Sequence, residues 1–583
     1  MAAPASTALF DQFARGWRGY VLIGLIALTA GLFGVARVPV IDIDEARFAQ
    51  ATRQMVESGD YVTIRLQDAE RNRKPAGIHW LQAASVHAFE PFTPKLNTIW
   101  PYRIPSVLGL MLAALAALWG GSALLPQRTA IIGAGLYATG LLAGGEAMLA
   151  KTDSMLVGFT TLAIAALAHL RFGTQRPRVI ALVFWAALAC GVMIKGPVTP
   201  LVTALTLAAL ALWERKAAWM KPLTWWAGPL LALAIALPWL IAIGFATEGR
   251  FYTELFANEI GPKIVGGDHA HGGAPGYYLL LLPLLIFPAT YALPAAARLG
   301  FIAIRAPRDD ATQAPLRFLI AWAAPSFVAF ELFPTKLVHY TLPVYPAIAL
   351  LCAAGMVAMR GRRWRSTHPF GAVIFGVVGA LIVGLSAFVA TQMPGDFDAD
   401  LRRAIATGII GAIVVIGAIV ALSMLRRPTT RAIVLMVCAL FLSFSLRDRL
   451  LPEARSLFAS NEAVAALTRT RLMPREGEPF WVVGYTQPSL VFLTRTSIQL
   501  VTPDEAAAGA HEGDGMIVEG RVLEQTRTAL AAHGLGFTEA EEPARAVALG
   551  RGERMALFVG RVTALSDEPA DGPPQNRAGR ATP

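Results

Sequence analysis

Residues 20–48 read YVLIGLIALTAGLFGVARVPVIDIDEARF. From Tyr20 to Ala36 the run carries no charge, and its 17 residues are at the lower limit for a helix that crosses a bilayer. Arg15 and Arg18 precede it, as in a signal peptide, but no convincing small-residue cleavage site follows. The expectation is an uncleaved first span with its N-terminus inside. Beyond Pro39 the character switches to clustered charge: Asp42, Asp44, Glu45 and Arg47 emerge together where the helix leaves the membrane.

The same alternation recurs along the chain. Of 583 residues, 55% are hydrophobic and 16% charged, against roughly 25% charged in an average soluble domain. The mean hydropathy is +0.51. These values exclude a disordered chain, a nucleic-acid-binding tail protein and an ordinary soluble enzyme. The net charge of +11 fits a bilayer better than nucleic acid, because Lys and Arg collect in loops that stay cytoplasmic. Cys190, Cys352 and Cys438 each lie in an apolar run with no CxxC partner, so neither a zinc site nor a disulfide framework is expected.

Further apolar runs lie near 103–125, 129–147, 153–170, 179–195, 197–213, 224–246, 276–297, 317–333, 340–359, 370–391, 403–425 and 431–447, which predicts about 13 transmembrane helices. Charge tests the count. With the N-terminus inside, the inner loops carry Arg128; Arg171, Arg176 and Arg178; Arg215, Lys216 and Lys221; Arg298, Arg305 and Arg308; Arg360 to Arg365; and Arg426 and Arg427. The short outer loops are poorer in Lys and Arg, as the positive-inside rule requires. One missed span would invert everything after it. Residues 1–447 therefore read as a membrane domain, including an outer juxtamembrane loop 38–101. From 448 the composition changes. Strand-like runs (Phe480–Gly484, Ser497–Val501, Met516–Val518, Arg554–Val559) alternate with helix-like segments (Asn461–Thr468, Val522–His533), the first capped by Ser460. This predicts a small soluble α/β domain over 448–565, outside the membrane, followed by a disordered tail 566–583.

The polar groups of interest gather at the outer ends of spans. Asp42 to Phe48 reads either as a capped helix start, with Glu45 closing a capping box, or as a rigidly fixed carboxylate. The stripe Phe48, Ala49, Ala51 and Met55 suggests a helix lying on the membrane surface. Arg71, Arg73 and Lys74 beside Pro75 suit a phosphate or a lipid headgroup equally. Arg103 reads as a snorkelling anchor or a phosphate ligand. Thr152-Asp153 reads as a helix cap, Lys195-Gly196-Pro197 as a turn with a snorkelling lysine, and Thr335 to Tyr340 as an interfacial belt with a prolyl kink. Asn258-Glu259 and Asp268-His269-Ala270-His271 read as loop, with little sign of a metal. Ionisable groups near membrane depth cost about 2.5–3.5 kcal/mol each on insertion scales, so their convergence on one face points to a function. Cations suit an anionic lipid-linked substrate, and a carboxylate suits a general base or the stabiliser of an oxocarbenium-like centre.

Asp44-Glu45-Ala46-Arg47-Phe48-Ala49, Ser58-Gly59-Asp60-Tyr61, Arg65-Leu66, Lys74-Pro75 and Trp80-Leu81 resemble the first outer loop of the aminoarabinose (lipid A) transferase family. That family stands with the dolichyl-phosphate-mannose-protein mannosyltransferases in the GT-C superfamily. Tyr102-Arg103-Ile104-Pro105-Ser106, Thr152-Asp153, Lys195-Gly196-Pro197, Pro238-Trp239, Asn258-Glu259, Lys336 to Pro346 and Gln487 to Leu493 follow in the family's order, so the resemblance covers most of residues 18–500. It implies a polytopic, inverting glycosyltransferase of the bacterial inner membrane. Such an enzyme takes a hexosyl or pentosyl group from a polyprenyl phosphate on the outer, periplasmic face and passes it to a lipid A-like glycolipid or a protein. Carried over residue by residue, Asp44 and Asp153 become catalytic. Arg47, Lys74, Arg103, Lys336 and Tyr340 become donor-phosphate ligands, and Glu45 and Glu259 become other cavity residues. No nucleotide sugar is implied, which agrees with the lack of a Gly-rich phosphate loop.

Two departures stand out. The family often has a Glu before the Lys-Pro and a second Pro after it, where this chain has Arg73 and Ala76. A metal site using that Glu is therefore not expected, and the aminoarabinose donor is placed in doubt. No cofactor is otherwise implied, and a divalent metal stays open. The rival reading is a lipid-linked sugar flippase or other transporter, which should carry mid-membrane charges and repeat symmetry. A non-catalytic membrane scaffold would need no convergent cavity.

Overall fold

The computed structural model describes residues 16–42, 44–255, 257, 272–359, 367–394, 397–548 and 553–565. The chain forms two compact units, Met1–Phe458 and Ala459–Pro583. The tail 566–583 lies outside the described residues.

The first unit is helical. It runs through α1 (Trp17–Leu32), α2 (Asp44–Ser58), the hairpin β1 (Arg65–Leu66) and β2 (Ala69–Glu70), α3 (Gly77–Phe89), α4 (Trp100–Leu124), α5 (Gln127–Ala138), α6 (Leu141–Ala147), α7 (Asp153–Phe172), α8 (Pro177–Lys195) and α9 (Val198–Glu214). It continues with α10 (Ala227–Ala246), α11 (Arg250–Glu254), α12 (Tyr277–Leu285), α13 (Leu293–Arg305), α14 (Ala314–Leu332), α15 (Tyr345–Ala358), α16 (Thr367–Ala390), α17 (Phe397–Met424) and α18 (Pro428–Phe444). Among the described residues, 8 helices are long and apolar enough to cross a membrane; α5 with α6, and α12 with the helical segment Ala289–Arg305, add two bent spans, and α1, α9 and Leu342–Ala358 are shorter apolar helices. Each apolar run of the sequence thus has its helix, in a polytopic α-helical architecture.

Two runs that read as continuous spans are broken, by 58° between α5 and α6 and by 112° before Ala289. A break inside a bilayer frees backbone groups that lipid cannot satisfy. Here the two breaks meet: the Leu141 N–H donates to the Phe287 carbonyl at 2.8 Å. The α5–α6 bend carries Glu146, which is buried, to Lys151 just before the start of α7.

α4 and α7 pack closely along a seam of small residues. A Cβ on Gly109 would lie 2.5 Å from the Met155 nitrogen, and one on Gly120 would lie 2.8 Å from Ala165. Small residues let backbones approach where no hydrophobic drive separates helix from lipid. Ser106 Oγ donates to the Leu149 carbonyl at 2.6 Å, and Ser154 Oγ to the Ser106 carbonyl at 2.6 Å, so the start of α7 is pinned to α4.

α2 does not rest on a membrane surface. Its stripe is buried within the protein: Ala51 and Met55 pack with Ile64, Met193, Trp239 and Phe251, and Phe48 packs with Ile78 and Leu156. The Glu45 carboxylate accepts from the Ile41 and Ala150 N–H groups and from Arg103.

In the second unit, six strands form a mixed sheet of order β4 (Gln499–Val501), β3 (Phe480–Val483), β5 (Gly515–Glu519), β8 (Glu553–Ala564), β6 (Leu535–Glu539), with β7 (Ala544–Ala548) also on β8. β3 runs parallel to β4 and β5, and β8 runs antiparallel to its neighbours. Strand side chains alternate between faces. Val482 and Ile517 pack under α19 (Ala459–Arg469) and α20 (Pro488–Leu493), whereas Val483, Met516 and Val518 pack under α21 (Pro503–Gly509) and α22 (Leu523–Ala531). β6 and β7 carry weaker apolar patterns and were not foreseen. Ser460 is not a cap: it lies inside α19, its hydroxyl hydrogen-bonded to Tyr485 Oη at 2.7 Å and Ser489 Oγ at 2.6 Å.

Candidate active site

A cavity of about 520 Å³ opens between the 73–75 loop, the start of α7, the α8–α9 junction and the 330–343 segment. Its walls are apolar (Leu156, Val198, Leu201, Leu255, Phe330 and Phe333). Its charged lining is Arg73, Lys74, Lys195 and Asp153, with His339 and Tyr340 also lining it.

Local sequence explains each placement. Lys74 precedes Pro75 and α3. A Cβ on Gly77 would lie 2.6 Å from the Met193 carbonyl, so the start of α3 sits against the last turn of α8, where Lys195 ends the helix before Gly196. The Lys74 ammonium lies 5.0 Å from the centroid of the Phe48 ring, a cation–π contact. Phe48 in turn stacks on His79 at 5.6 Å. Asp153 opens α7 with its carboxylate 2.5 Å from Lys195 Nζ and 3.8 Å from Lys151 Nζ. Lys151 also pairs with Glu146 at 3.2 Å. His339 bridges the group, its ring nitrogens 3.6 Å from Glu146 and 3.7 Å from Asp153. The Lys195 ammonium stands 5.7 Å from the centre of the Tyr340 ring.

Burial pushes the His339 imidazole well below its usual pKa; Asp153 opposes the drop, and the lysines Lys151, Lys195 and Lys74 add to it. His339 is therefore neutral at pH 7. Burial works against the charge of Lys151, but Glu146, Asp153 and Asp44 outweigh it and hold that lysine protonated.

Glu146, Asp153 and His339 bring three ligand atoms within 4.8 Å of one another. They do not fit a resident divalent metal. Lys151 and Lys195 already neutralise both carboxylates, and a dication would have to enter beside two ammonium groups.

Of the residues singled out in the sequence, Lys74, Asp153 and Tyr340 meet in the cavity. Thr152, at the N-cap position of α7, makes no side-chain cap bond. Asp44 and Arg47 pair with each other at 3.8 Å at the start of α2, about half and one third exposed, outside the lining but within the electrostatic reach of Lys151 for Asp44.

Three assignments need correction. Arg103 is fully buried and cannot hold a phosphate. Its five N–H groups go to both oxygens of Glu45 at 2.7 and 2.8 Å and to the Val35, Val38 and Pro39 carbonyls. Glu45 is, for the same reason, no cavity residue. Lys336 is buried 3.6 Å from the Glu331 carboxylate, donates to the Phe330 and Glu331 carbonyls and faces the Tyr278 ring, so it too is spoken for. Glu259 lies outside the described residues.

The sequence reading missed Glu146 and left Lys195 and His339 in bland roles. Glu146 had a signal, a lone carboxylate inside an apolar run.

The family model of the dolichyl-phosphate-mannose-protein mannosyltransferases matches residues 91–250. The undecaprenyl phosphate-alpha-4-amino-4-deoxy-L-arabinose arabinosyl transferase of Pectobacterium atrosepticum is 29% identical over 414 residues, 69% of this chain and 70% of that protein. Its counterpart in Aeromonas salmonicida is 25% identical over 79% of this chain and 86% of its own. The crystal structure of ArnT from Cupriavidus metallidurans bound to undecaprenyl phosphate superposes with a TM-score of 0.72, covering 96% of this chain and 98% of that one at 18% identity, which establishes a common fold. The chain is thus similar in sequence to these arabinosyl transferases and, over residues 91–250, to the dolichyl-phosphate-mannose-protein mannosyltransferases, and it shares the fold of the Cupriavidus metallidurans ArnT.

Proposed function

We propose that this protein is an inverting glycosyltransferase that takes a sugar from a polyprenyl phosphate and passes it to a lipid A-like glycolipid on the periplasmic face of the inner membrane. One observation carries the reading: an apolar-walled cavity at the ends of several helices has Arg73, Lys74 and Lys195 in its lining. Apolar walls suit a prenyl chain, and clustered cations suit the phosphate that ends it. The relatives' names point to the same donor class.

The reaction is a single displacement. The acceptor hydroxyl oxygen attacks the anomeric carbon while the bond from that carbon to the phosphate oxygen breaks, and its electron pair leaves on the phosphate. One displacement inverts the centre. The phosphodiester carries one negative charge and gains a second as it leaves, so Lys74 and Arg73 bind the transition state more strongly than the ground state. Asp44, with its carboxylate about half exposed, takes the hydroxyl proton. Asp153, paired with Lys195 and Lys151, stabilises positive charge developing on the sugar ring.

The test is transfer in proteoliposomes from synthetic undecaprenyl-phosphate sugars to lipid A, followed by mass spectrometry. Lys74→Ala is expected to cost about 1.5–3 kcal/mol in turnover or donor binding, the range for a charge-assisted hydrogen bond, with Lys74→Arg recovering part of it. Arg71→Ala, outside the cavity lining, should have a smaller effect. Equal small effects from both would remove Lys74 from the donor site. Lipid flipping without transfer would favour a transporter.

A further inference from the structure

We propose that Glu146 is a positioning residue for the transfer: it draws the Lys151 ammonium aside and so leaves one oxygen of Asp153 open to the sugar. The inference rests on the reading above that the Asp153 carboxylate meets positive charge on the sugar ring.

Glu146 is buried, is not among the described lining residues and takes no part in the displacement. It belongs to α6, which the 58° bend turns out of line with α5. Its backbone is pinned there, because Arg447 donates to the Gly144 carbonyl and the Leu141 N–H to the Phe287 carbonyl. The chain around Lys151 is pinned separately. The Ala150 N–H donates to Glu45 at 2.8 Å, and the Ser106 hydroxyl reaches the Leu149 and Lys151 carbonyls at 2.6 and 3.2 Å. With both backbones fixed, side-chain partners decide where the Lys151 ammonium rests.

Those partners compete. Lys151 Nζ lies 3.2 Å from Glu146 and 3.8 Å from Asp153 Oδ2, and Asp44 attracts it from further off. A hydrogen bond needs an approach of about 3.2 Å or less, so Lys151 holds Glu146 and stops short of Asp153. Lys195 takes the other oxygen, Oδ1, at 2.5 Å, and the neutral His339 ring stands 3.7 Å from that same oxygen. Among the described residues Oδ2 therefore accepts no hydrogen bond, although Asp153 lines the cavity. An acceptor oxygen fixed in place without a donor is preorganised for charge that develops only in the transition state. Glu146→Gln would leave Asp153 as the nearest anion to Lys151, and the ammonium would close on Oδ2. Closure to hydrogen-bond length, at an effective dielectric of about 20, corresponds to a roughly ten-fold loss of rate.

The experiment measures kcat and the donor KM separately, for the full-length protein in proteoliposomes with lipid A and a synthetic undecaprenyl-phosphate sugar that the wild type transfers. Glu146→Gln is expected to lower kcat about ten-fold with the donor KM nearly unchanged, because the phosphate contacts are untouched. Glu146→Asp should recover part of the loss. The double variant Glu146→Gln with Lys151→Met removes the released cation along with the carboxylate and should recover most of kcat, since buried ions are tolerated better when removed in pairs than singly. A double variant as slow as Glu146→Gln overturns the proposal, as does wild-type kcat in Glu146→Gln. Should Glu146→Gln fail to fold, the double variant is compared with the wild type directly: similar kcat supports the role, and a ten-fold deficit overturns it. Asp153→Asn separates the two readings. If it abolishes transfer while Glu146→Gln turns over normally, only the positioning role falls. If Asp153→Asn itself turns over normally, the reading of Asp153 falls and takes this inference with it.

Discussion

Arg103 and Asp44 stand at opposite limits of what a charged residue can do here. Arg103 has no exposure and no unused donor. Its guanidinium joins α4 to the 35–39 turn and, through Glu45, to α2 and the 150 backbone. Arg103→Lys removes the planar fork and leaves acceptors unpaired in a buried site, so a loss of about 3–5 kcal/mol is expected, as for a broken buried ion pair. Thermal unfolding in detergent would register it, whereas a lost phosphate ligand would leave stability unchanged and weaken only donor binding. Asp44 is the reverse case: about half exposed, and paired only loosely with Arg47 among the described residues. Asp44→Asn keeps its shape and its ability to serve a helix start. Unchanged stability with turnover down by a factor on the order of 10² is expected if it takes the acceptor proton. Near-normal turnover would show that the residue serves the helix alone.

At the scale of elements, α2 and α3 form a small polar-cored layer beneath the 71–74 cations. The Thr52 hydroxyl donates to Gln82 Oε1 at 2.7 Å and meets His79 Nδ1 at 2.7 Å, all three residues being buried. Burial, aided by Arg71 and Lys74, lowers the His79 pKa to about 3 from its usual 6.5. The unfolded chain therefore binds a proton below pH 6.5 that the folded chain refuses. Stability from this site is complete above pH 6.5 and is lost as pH falls toward 3. Between pH 6.5 and 5 the loss is on the order of 2 kcal/mol. Unfolding midpoints measured at pH 7 and pH 5 should show it, and His79→Gln should flatten that part of the dependence. An unchanged slope in the variant would place the titration elsewhere. The broken spans belong to this scale too. Hydropathy registers a run of apolar residues and is blind to a bend, because a bend depends on backbone partners such as Leu141 and Phe287 that are far apart in sequence.

For the whole molecule, the loop-by-loop charge asymmetry predicts the orientation of every span. A cysteine at Ser58, exposed at the end of α2, should react with an impermeant thiol reagent in intact spheroplasts. One at Gln175, exposed between α7 and α8, should react only after lysis. Labelling of Gln175→Cys in intact cells would invert the topology and move the cavity to the cytoplasmic face.

Sequence by itself determined the membrane class, the number of apolar segments and the change of character near residue 448. These properties are local, since transfer free energy adds residue by residue along a run and strand alternation is read over a few positions. Only the tertiary structure decided which charges face the cavity. In sequence Arg103, Lys336 and Lys195 are equivalent, each a cation at the end of an apolar run. They separate because Arg103 meets Glu45 across 58 positions and Lys336 meets Glu331 beside Tyr278, whereas Lys195 meets Asp153 across 42 positions in the cavity lining. A buried charge takes its role from the partner that compensates it, and that partner is chosen by packing rather than by nearness along the chain.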